Sequence, residues 1–505
     1  MCGIAVVAGV GGAERVDTMV MQLGHRGPDD VGVISHRDGR VVVGHTRLAI
    51  IDPLGGQQPF VGTTGAIAVS NGEIYNHELL VPTGALERAG SGSDAAILLP
   101  LYERFGSDMF GRLDGMFAIV IVTGDGTVVA ARDRLGVKPL YRATQGDTVA
   151  FSSELKPLND GTWDRIETVP PGHVWVDSTV EAFYETPKPV LSGPIDDAAI
   201  THWCSELREA LERAVVKRLM SDVPLGTFLS GGLDSSIVTA IAAHHQPGLQ
   251  TFALGFDGSA DLAAARLVAA HLGTSHHEIV VGEDEPLDVL PEVLRHLESW
   301  DRDLVRSALP TYLVARFAAT ELKVVLTGEG ADELFAGYRY HADYVDDPEA
   351  LQRELWRSLR AMHDSNLQRV DRMTMAHSLE ARVPFLDPEV VEIAMQIPAE
   401  LKLRRDRSGS LVEKWILRKA FEDLLPSAIV WRTKSQFDEG SGAVDRLPGL
   451  AGATVDTTVA RPDAARLRDL EEMWYFDMVC AWHADWSVVR ANTSVWSEHR
   501  VPLAV

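Results

Sequence analysis

Seven consecutive residues, Ser230-Gly231-Gly232-Leu233-Asp234-Ser235-Ser236, restrict the fold of this chain more than any other stretch. They stand between an apolar run, Val223 to Leu229, and an apolar run of helical character, Ile237 to Ala243, which places them on the turn from a strand into a helix. Such a turn suits an anion: Gly231 and Gly232 let the backbone bend and approach closely, and free N–H groups at the helix start meet negative charge. Ser230, Ser235 and Ser236 add hydroxyl donors, whereas Asp234 would repel a bare phosphate and makes sense with a divalent cation between them. The Walker pattern, which needs a GK[ST] end, is absent from the chain, so this is a different phosphate grip. Strand-like runs at Leu225 to Leu229, Thr251 to Phe256, Glu278 to Val281 and Lys323 to Leu326 alternate with helical ones such as Leu262 to Leu272. That alternation predicts a parallel, doubly wound sheet with ligands at its strand ends.

The last of those strands delivers Thr327-Gly328-Glu329-Gly330-Ala331-Asp332-Glu333. Glycines with three carboxylates at a strand end are good catalytic material. Asp332 can join Asp234 in holding Mg2+, as hard oxygen ligands, and Glu329 can act as a base toward incoming ammonia or position it. The bland reading is a helix start decorated with favourable acids.

The SGGLDSS string resembles the pyrophosphate loop of the N-type ATP pyrophosphatases, which cleave ATP to AMP and pyrophosphate to activate a carboxyl or carbonyl group. With residues 221 to 338, Ser378-Leu379-Glu380-Ala381-Arg382-Val383-Pro384-Phe385-Leu386-Asp387 and Trp431-Arg432-Thr433-Lys434-Ser435-Gln436-Phe437, the second half resembles the synthetase domain of the glutamine-hydrolysing asparagine synthetases. The resemblance implies that Leu229, Leu254 and Gly328 line the adenosine pocket, that Thr327 also binds ATP, that Ser230 to Ser236 hold the pyrophosphate, and that Lys434 meets phosphate charge on a loop running to about Pro462 that orders with ligand. Arg306 is expected near the acceptor or the pyrophosphate. Just before it the chain reads Asp303-Leu304 where the family pattern has adjacent hydroxyl residues, which leaves the acceptor less fixed than the ATP chemistry.

The chain opens Met1-Cys2-Gly3-Ile4-Ala5-Val6-Val7. With Met1 removed, Cys2 carries a thiol and a free α-amine of reference pKa about 7.7 to 8, able to take the thiol proton, so that one residue supplies nucleophile and base. The strings His25 to Asp30, His45 to Asp52, Asn71 to His77, Gly92 to Asp94, Leu113 to Ala118, Arg132 to Gly136 and Ser152 to Lys156 follow in order. Together with the opening they resemble the class II glutamine amidotransferase domain, an N-terminal-nucleophile hydrolase, over about residues 2 to 185. The resemblance implies Cys2 as nucleophile, the Asn71 side chain and Gly72 N–H as oxyanion hole, Arg47 on the α-carboxylate of glutamine, and Glu73 and Asp94 on its α-ammonium. Val- and Ile-rich runs at Gly3 to Gly9, Val41 to Ile51, Ile67 to Ser70, Phe117 to Thr123, Thr127 to Arg132 and Val149 to Ser152 read as strands, with helical patterns at Glu14 to Leu23 and Ala95 to Phe105. They fit the αββα sandwich of that hydrolase class.

A chain of 505 residues is too long for one core, and Pro, Gly and Ser gather at Thr186 to Pro194. The expected organisation is a glutaminase domain over 1–194 and an ATP pyrophosphatase domain over 195–505. A formal charge of −25 argues against nucleic acid or an anionic membrane as partner, and no apolar run approaches a membrane span, so a cytoplasmic protein is expected. Cys2, Cys204 and Cys480 form no CxxC pair, which speaks against a disulfide framework or a zinc site. His244-His245 and His276-His277 read as helix-end and strand-surface residues.

The expected activity is therefore asparagine synthesis: glutamine gives ammonia at Cys2, Mg-ATP adenylates the aspartate side chain, and ammonia displaces AMP. The family implies an internal passage for ammonia and a homodimer. Three rivals stay open: the same machinery on another carboxylate, as in tailoring amidotransferases; a β-lactam-forming synthetase, against which Cys2 speaks; and a non-catalytic binding protein retaining the fold.

Overall fold

The computed structural model describes residues 2–80, 91–282, 284–406, 408–432 and 442–493. In the first half the described strands are β1 (Cys2–Ala8), β2 (Asp30–His36), β3 (Val41–Arg47), β4 (Phe60–Val61), β5 (Ile67–Ile74), β6 (Gly115–Val122), β7 (Val128–Arg132), β8 (Tyr141–Gln145), β9 (Thr148–Ser152), β10 (Arg165–Thr168), β11 (His173–Val176) and β12 (Thr179–Ala182). They form two antiparallel sheets, ordered β10-β8-β9-β1-β3-β2 and β12-β11-β7-β6-β5-β4.

Successive side chains of a strand point to opposite faces, and here both faces are covered. Ile4 and Val6 of β1 pack between the sheets with Ile67, Val69 and Val120. Ala5 and Val7 face outward onto Val16, Met19 and Val20 of the helix Gly12–Gln22. On the far side of the second sheet, Ala68, Phe117 and Ile119 are covered by Leu98, Leu99 and Leu101 of the helix Leu98–Phe105. The layering is helix, sheet, sheet, helix, as expected. The helical pattern from Ala95 resolves into a short 3-10 turn, Asp94–Ile97, followed by that helix.

The second half is built on a parallel sheet of β13 (Leu225–Phe228), β14 (Gln250–Gly255), β15 (Ser275–Val280), β16 (Val324–Leu326) and β17 (Glu380–Arg382), ordered β15-β14-β13-β16-β17. The chain moves outward from β13 to β15, then returns to the other side of β13 as β16. The switch point therefore lies between β13 and β16, where ligands of such sheets bind, and those two strands end in the SGGLDSS and TGEGADE strings. The strand β17 was not expected. The segment from Lys434 to Pro462, expected to be one long loop, contains a helix, Gly442–Thr454.

Charged side chains are buried where the halves meet. Arg26 pairs at 2.9 Å with both Glu154 of its own half and Asp371 of the other, and Arg372 reaches Glu154 at 3.1 Å and Glu298 at 3.0 Å. The end of the described chain returns to the first half, with Asn492 donating to the Ile166 carbonyl and Asn159 to that of Asp485. Among the described residues, no helix is long and apolar enough to cross a membrane.

Candidate active sites

The pairing of β1 with β3 sets Cys2 opposite Arg47. The Cys2 backbone N–H donates to Asn71 Oδ1 at 2.9 Å, which leaves the buried Asn71 Nδ2 with no hydrogen-bond partner. A buried donor without a partner costs stability, and this one belongs to the side chain that binds the Cys2 backbone. Burial pushes the Cys2 thiol above its ordinary value. Gly72 has φ 137°, and a Cβ there would stand 1.9 Å from the Met116 carbonyl oxygen. Only glycine can hold the strand so close to β6 at this point.

Arg47 is buried and donates to the carbonyls of Ile51, Asp52 and Pro53. It thus orders the loop after β3, which Asp52 ties to Gly55, Ser91 and Gly92. Asp94 accepts from the Ile74 N–H at 2.6 Å, and burial raises its pKa. Glu73 is buried with Oε2 unbonded; burial, then Glu380 and Asp94, hold its pKa well above the usual carboxylate range.

At the switch point a cavity of about 580 Å³ is lined by Leu229, Ser230, Gly232, Asp234, Ser235, Leu254, Thr327, Gly328, Glu329 and Asp332. Gly231 and Ser236 support it from behind. A Cβ on Gly231, at φ 73°, would meet Ala264 and Ala265 at 2.6 Å, and Ser236 Oγ donates to the Gly232 carbonyl at 2.6 Å. The Asp234 and Asp332 carboxylates converge on one cation, the buried Lys414 Nζ, at 2.5 Å each. Burial opposes the charge of Lys414, but those two acids outweigh it and hold its pKa up. Gly337 makes the approach possible, since a Cβ there would lie 1.9 Å from Asp332 Oδ1. Both carboxylates are hard oxygen donors of the kind a divalent ion takes, and in this structure Lys414 supplies their positive charge.

The profile of the asparagine synthase family matches residues 206–348 and 343–496, and that of the glutamine amidotransferase domain matches 1–177. The glutamine-hydrolysing asparagine synthetase of Triphysaria versicolor is 41% identical over 470 residues, 88% of this chain and 78% of its own. That of Asparagus officinalis is 40% identical over 515 residues, 95% of this chain and 85% of its own. This chain belongs to the glutamine-hydrolysing asparagine synthetase family. A solved B. subtilis glutamine phosphoribosylpyrophosphate amidotransferase aligns with 50% of this chain and 65% of its own, at 20% identity and a TM-score of 0.32, and carries no argument.

Within this synthetase fold, one expected residue stands elsewhere. Arg306 makes a two-pronged ion pair with Glu471, at 2.9 and 2.6 Å, and does not line the cavity. A guanidinium already matched to a carboxylate fork in this way has little reason to turn toward a ligand. The cavity instead receives Arg302, Asp303, Leu304, Arg369 and Arg468. Arg369 pairs with Glu329, and Arg468 spans Asp301, Asp303 and Glu472. Lys434 lies outside the described residues; its neighbour Arg432 lines the cavity and bonds Asp261 and the Gly231 carbonyl.

Lys414, Arg369 and Arg468 were not expected, since each meets a carboxylate far away in the chain, Arg468 meeting Asp301 and Asp303 besides its neighbour Glu472, and none stands in a glycine-rich string. His244 and His245 end the helix Leu233–His245, and His276 and His277 lie on β15. The described residues with metal-ligand proximity are instead His25, Glu154 and His296. Arg26, Lys156 and Arg372 already crowd that Glu154, a setting that repels a dication.

Proposed function

We infer that this chain makes asparagine from aspartate, glutamine and ATP. What carries the reading is that both halves match together: the glutamine amidotransferase and asparagine synthase profiles share the chain, and about 40% identity to glutamine-hydrolysing synthetases runs across both. We place the boundary between the two activities near residue 195.

With Met1 removed, the Cys2 α-amine takes the thiol proton and the thiolate attacks the side-chain amide of glutamine. Asn71 Nδ2 and the Gly72 N–H stabilise the oxyanion, while Arg47 holds the α-carboxylate and Glu73 and Asp94 the α-ammonium. Ammonia leaves, and water then releases glutamate from the thioester. In the second half Leu229, Leu254 and Gly328 line the adenosine pocket, and Thr327 also binds ATP. The loop Ser230 to Ser236 grips the pyrophosphate together with Lys434. Asp234 and Asp332 would hold Mg2+, which would supply positive charge to the triphosphate when bound, beside the charge of Lys414.

The β-carboxylate oxygen of aspartate bonds to the α-phosphorus and pyrophosphate departs. Ammonia attacks the acyl carbon and AMP departs, with Glu329 positioned to take the surplus proton. A carboxylate is a dead electrophile until AMP becomes its leaving group, which is why an ammonia source and a nucleotide grip share one chain. On the family resemblance the proposal extends to a cytoplasmic homodimer, which fractionation and light scattering check.

A product assay tests the acceptor. With glutamine, Mg-ATP and either aspartate or another acid, asparagine and AMP should form only with aspartate. Glutaminase activity without any product from aspartate would move the same chemistry to a different carboxylate.

A further inference from the structure

Glu73 and Arg382 face each other across the junction of the two halves. The Arg382 guanidinium is fully buried and fixed on two sides: Nε donates to Glu380 Oε1 at 2.6 Å, and Nη1 to the carbonyls of Arg218 and Met220. Its third corner, Nη2, has no hydrogen-bond partner and stands 3.7 Å from Glu73 Oε2, which has none either. The same residue belongs to the nucleotide side through its main chain. Arg382 lies beside Leu326 in the parallel pairing of β16 with β17, and its carbonyl accepts from the Thr327 N–H at 2.9 Å. One residue therefore touches the root of the TGEGADE loop with its backbone and the glutamine pocket with its side chain.

We propose that Arg382, contributed by the ATP-side half, is a positioning residue that holds and orients the Glu73 carboxylate for the α-ammonium of glutamine, so that the glutamine pocket is completed across the two halves. This rests on the reading of Glu73 as a glutamine ligand. Glu73 meets Asp94 from the turn after β5, Glu380 and Arg382 from β17, and Tyr75 and Arg218 beside them. Burial and the two acids favour its neutral form, and Arg382 and then the N-terminal ammonium oppose them. A neutral Glu73 would be a poor partner for an ammonium. Glu380 competes for the same guanidinium and is held down near 2, burial being outweighed by the N-terminal ammonium and then by Arg382 and Lys138.

The test uses the full chain. Arg382→Met should raise the glutamine KM about 10- to 100-fold, the range for losing the charged hydrogen bond between Glu73 and the α-ammonium, with a far smaller change in glutaminase kcat. It should also move the acid limb of kcat/KM for glutamine to higher pH. Arg382→Lys should recover most of the KM. Because Arg382→Met removes buried hydrogen bonds and can disturb folding, Glu380→Gln provides the second arm. It removes a competing negative charge at equal volume and should move the acid limb the other way, to lower pH. Ammonium-dependent synthesis in each preparation reports whether the fold survives. Limbs that shift together or not at all, or a glutamine KM in Arg382→Met within about twofold of the parent, would overturn the proposal. Glu73→Gln separates the two claims. If it raises KM and Arg382→Met does not, this inference alone fails; if it leaves KM unchanged, the assignment of Glu73 fails and this one with it.

Discussion

Cys2→Ala should abolish glutamine-dependent synthesis while leaving ammonium-dependent synthesis in place, because on the proposed mechanism the thiol serves only to liberate nitrogen; a coupled assay for AMP with either nitrogen source checks it. Asp234→Asn should do the reverse, suppressing AMP formation with little loss of glutaminase. It removes half of the carboxylate pair that converges on Lys414. Gly72→Ala is predicted to lose glutaminase and to lower stability by about 1 to 3 kcal/mol or more, the overpacking range, since its methyl would stand 1.9 Å from the Met116 carbonyl at a φ that L residues avoid; activity and a thermal melt together check it. Roles could be proposed for these residues from the sequence because each stands in a string that resembles a known family's motif. Lys414 and Arg382 were given none, because a lysine or arginine acquires meaning only from the carboxylates that folding brings to it.

Among the elements, β13, β14 and β16 could be read from sequence because strands of a parallel sheet covered on both faces appear as short apolar runs. β17 could not. It is three residues, Glu-Ala-Arg, fully buried, and its two charged side chains pair with each other rather than face water. Hydrophobic patterning cannot see a strand whose burial is secured by ion pairs. The short helix Ala399–Lys402 raises the same issue. Its buried Lys402 Nζ donates to Gln352 Oε1 at 3.0 Å, and Gln352 holds the Val190 carbonyl of the linker. Burial lowers the Lys402 pKa to about 7. Between that value and the ordinary lysine value the unfolded chain binds the extra proton, so stability should rise with pH across this window, by at most about 1.4 kcal/mol per unit. Denaturation at pH 7 and pH 9 should show the rise in the parent protein and its loss in Lys402→Met.

At the scale of the whole molecule, the Pro- and Gly-rich stretch marked where the first sandwich gives way to the second half, but not how they meet. Their junction holds Arg26, Glu154, Glu298, Asp371 and Arg372, all buried, and the return of residues 483–492 to the first half left no sequence signal. Asp371→Ala should cost about 3 to 5 kcal/mol in chemical denaturation, because it leaves Arg26 buried beside a lost partner; a loss under about 1 kcal/mol would show that this network carries little of the docking. On the roles proposed for Cys2 and for the Asp234–Asp332 pair, nitrogen freed in one half is used in the other, and that transfer can be followed directly. Glutamine labelled with heavy nitrogen at its side-chain amide, supplied with aspartate and Mg-ATP, should yield asparagine carrying the label at its own side-chain amide, with AMP and pyrophosphate formed in equal amounts to it. Label appearing only in free ammonium, with no AMP, would contradict the account.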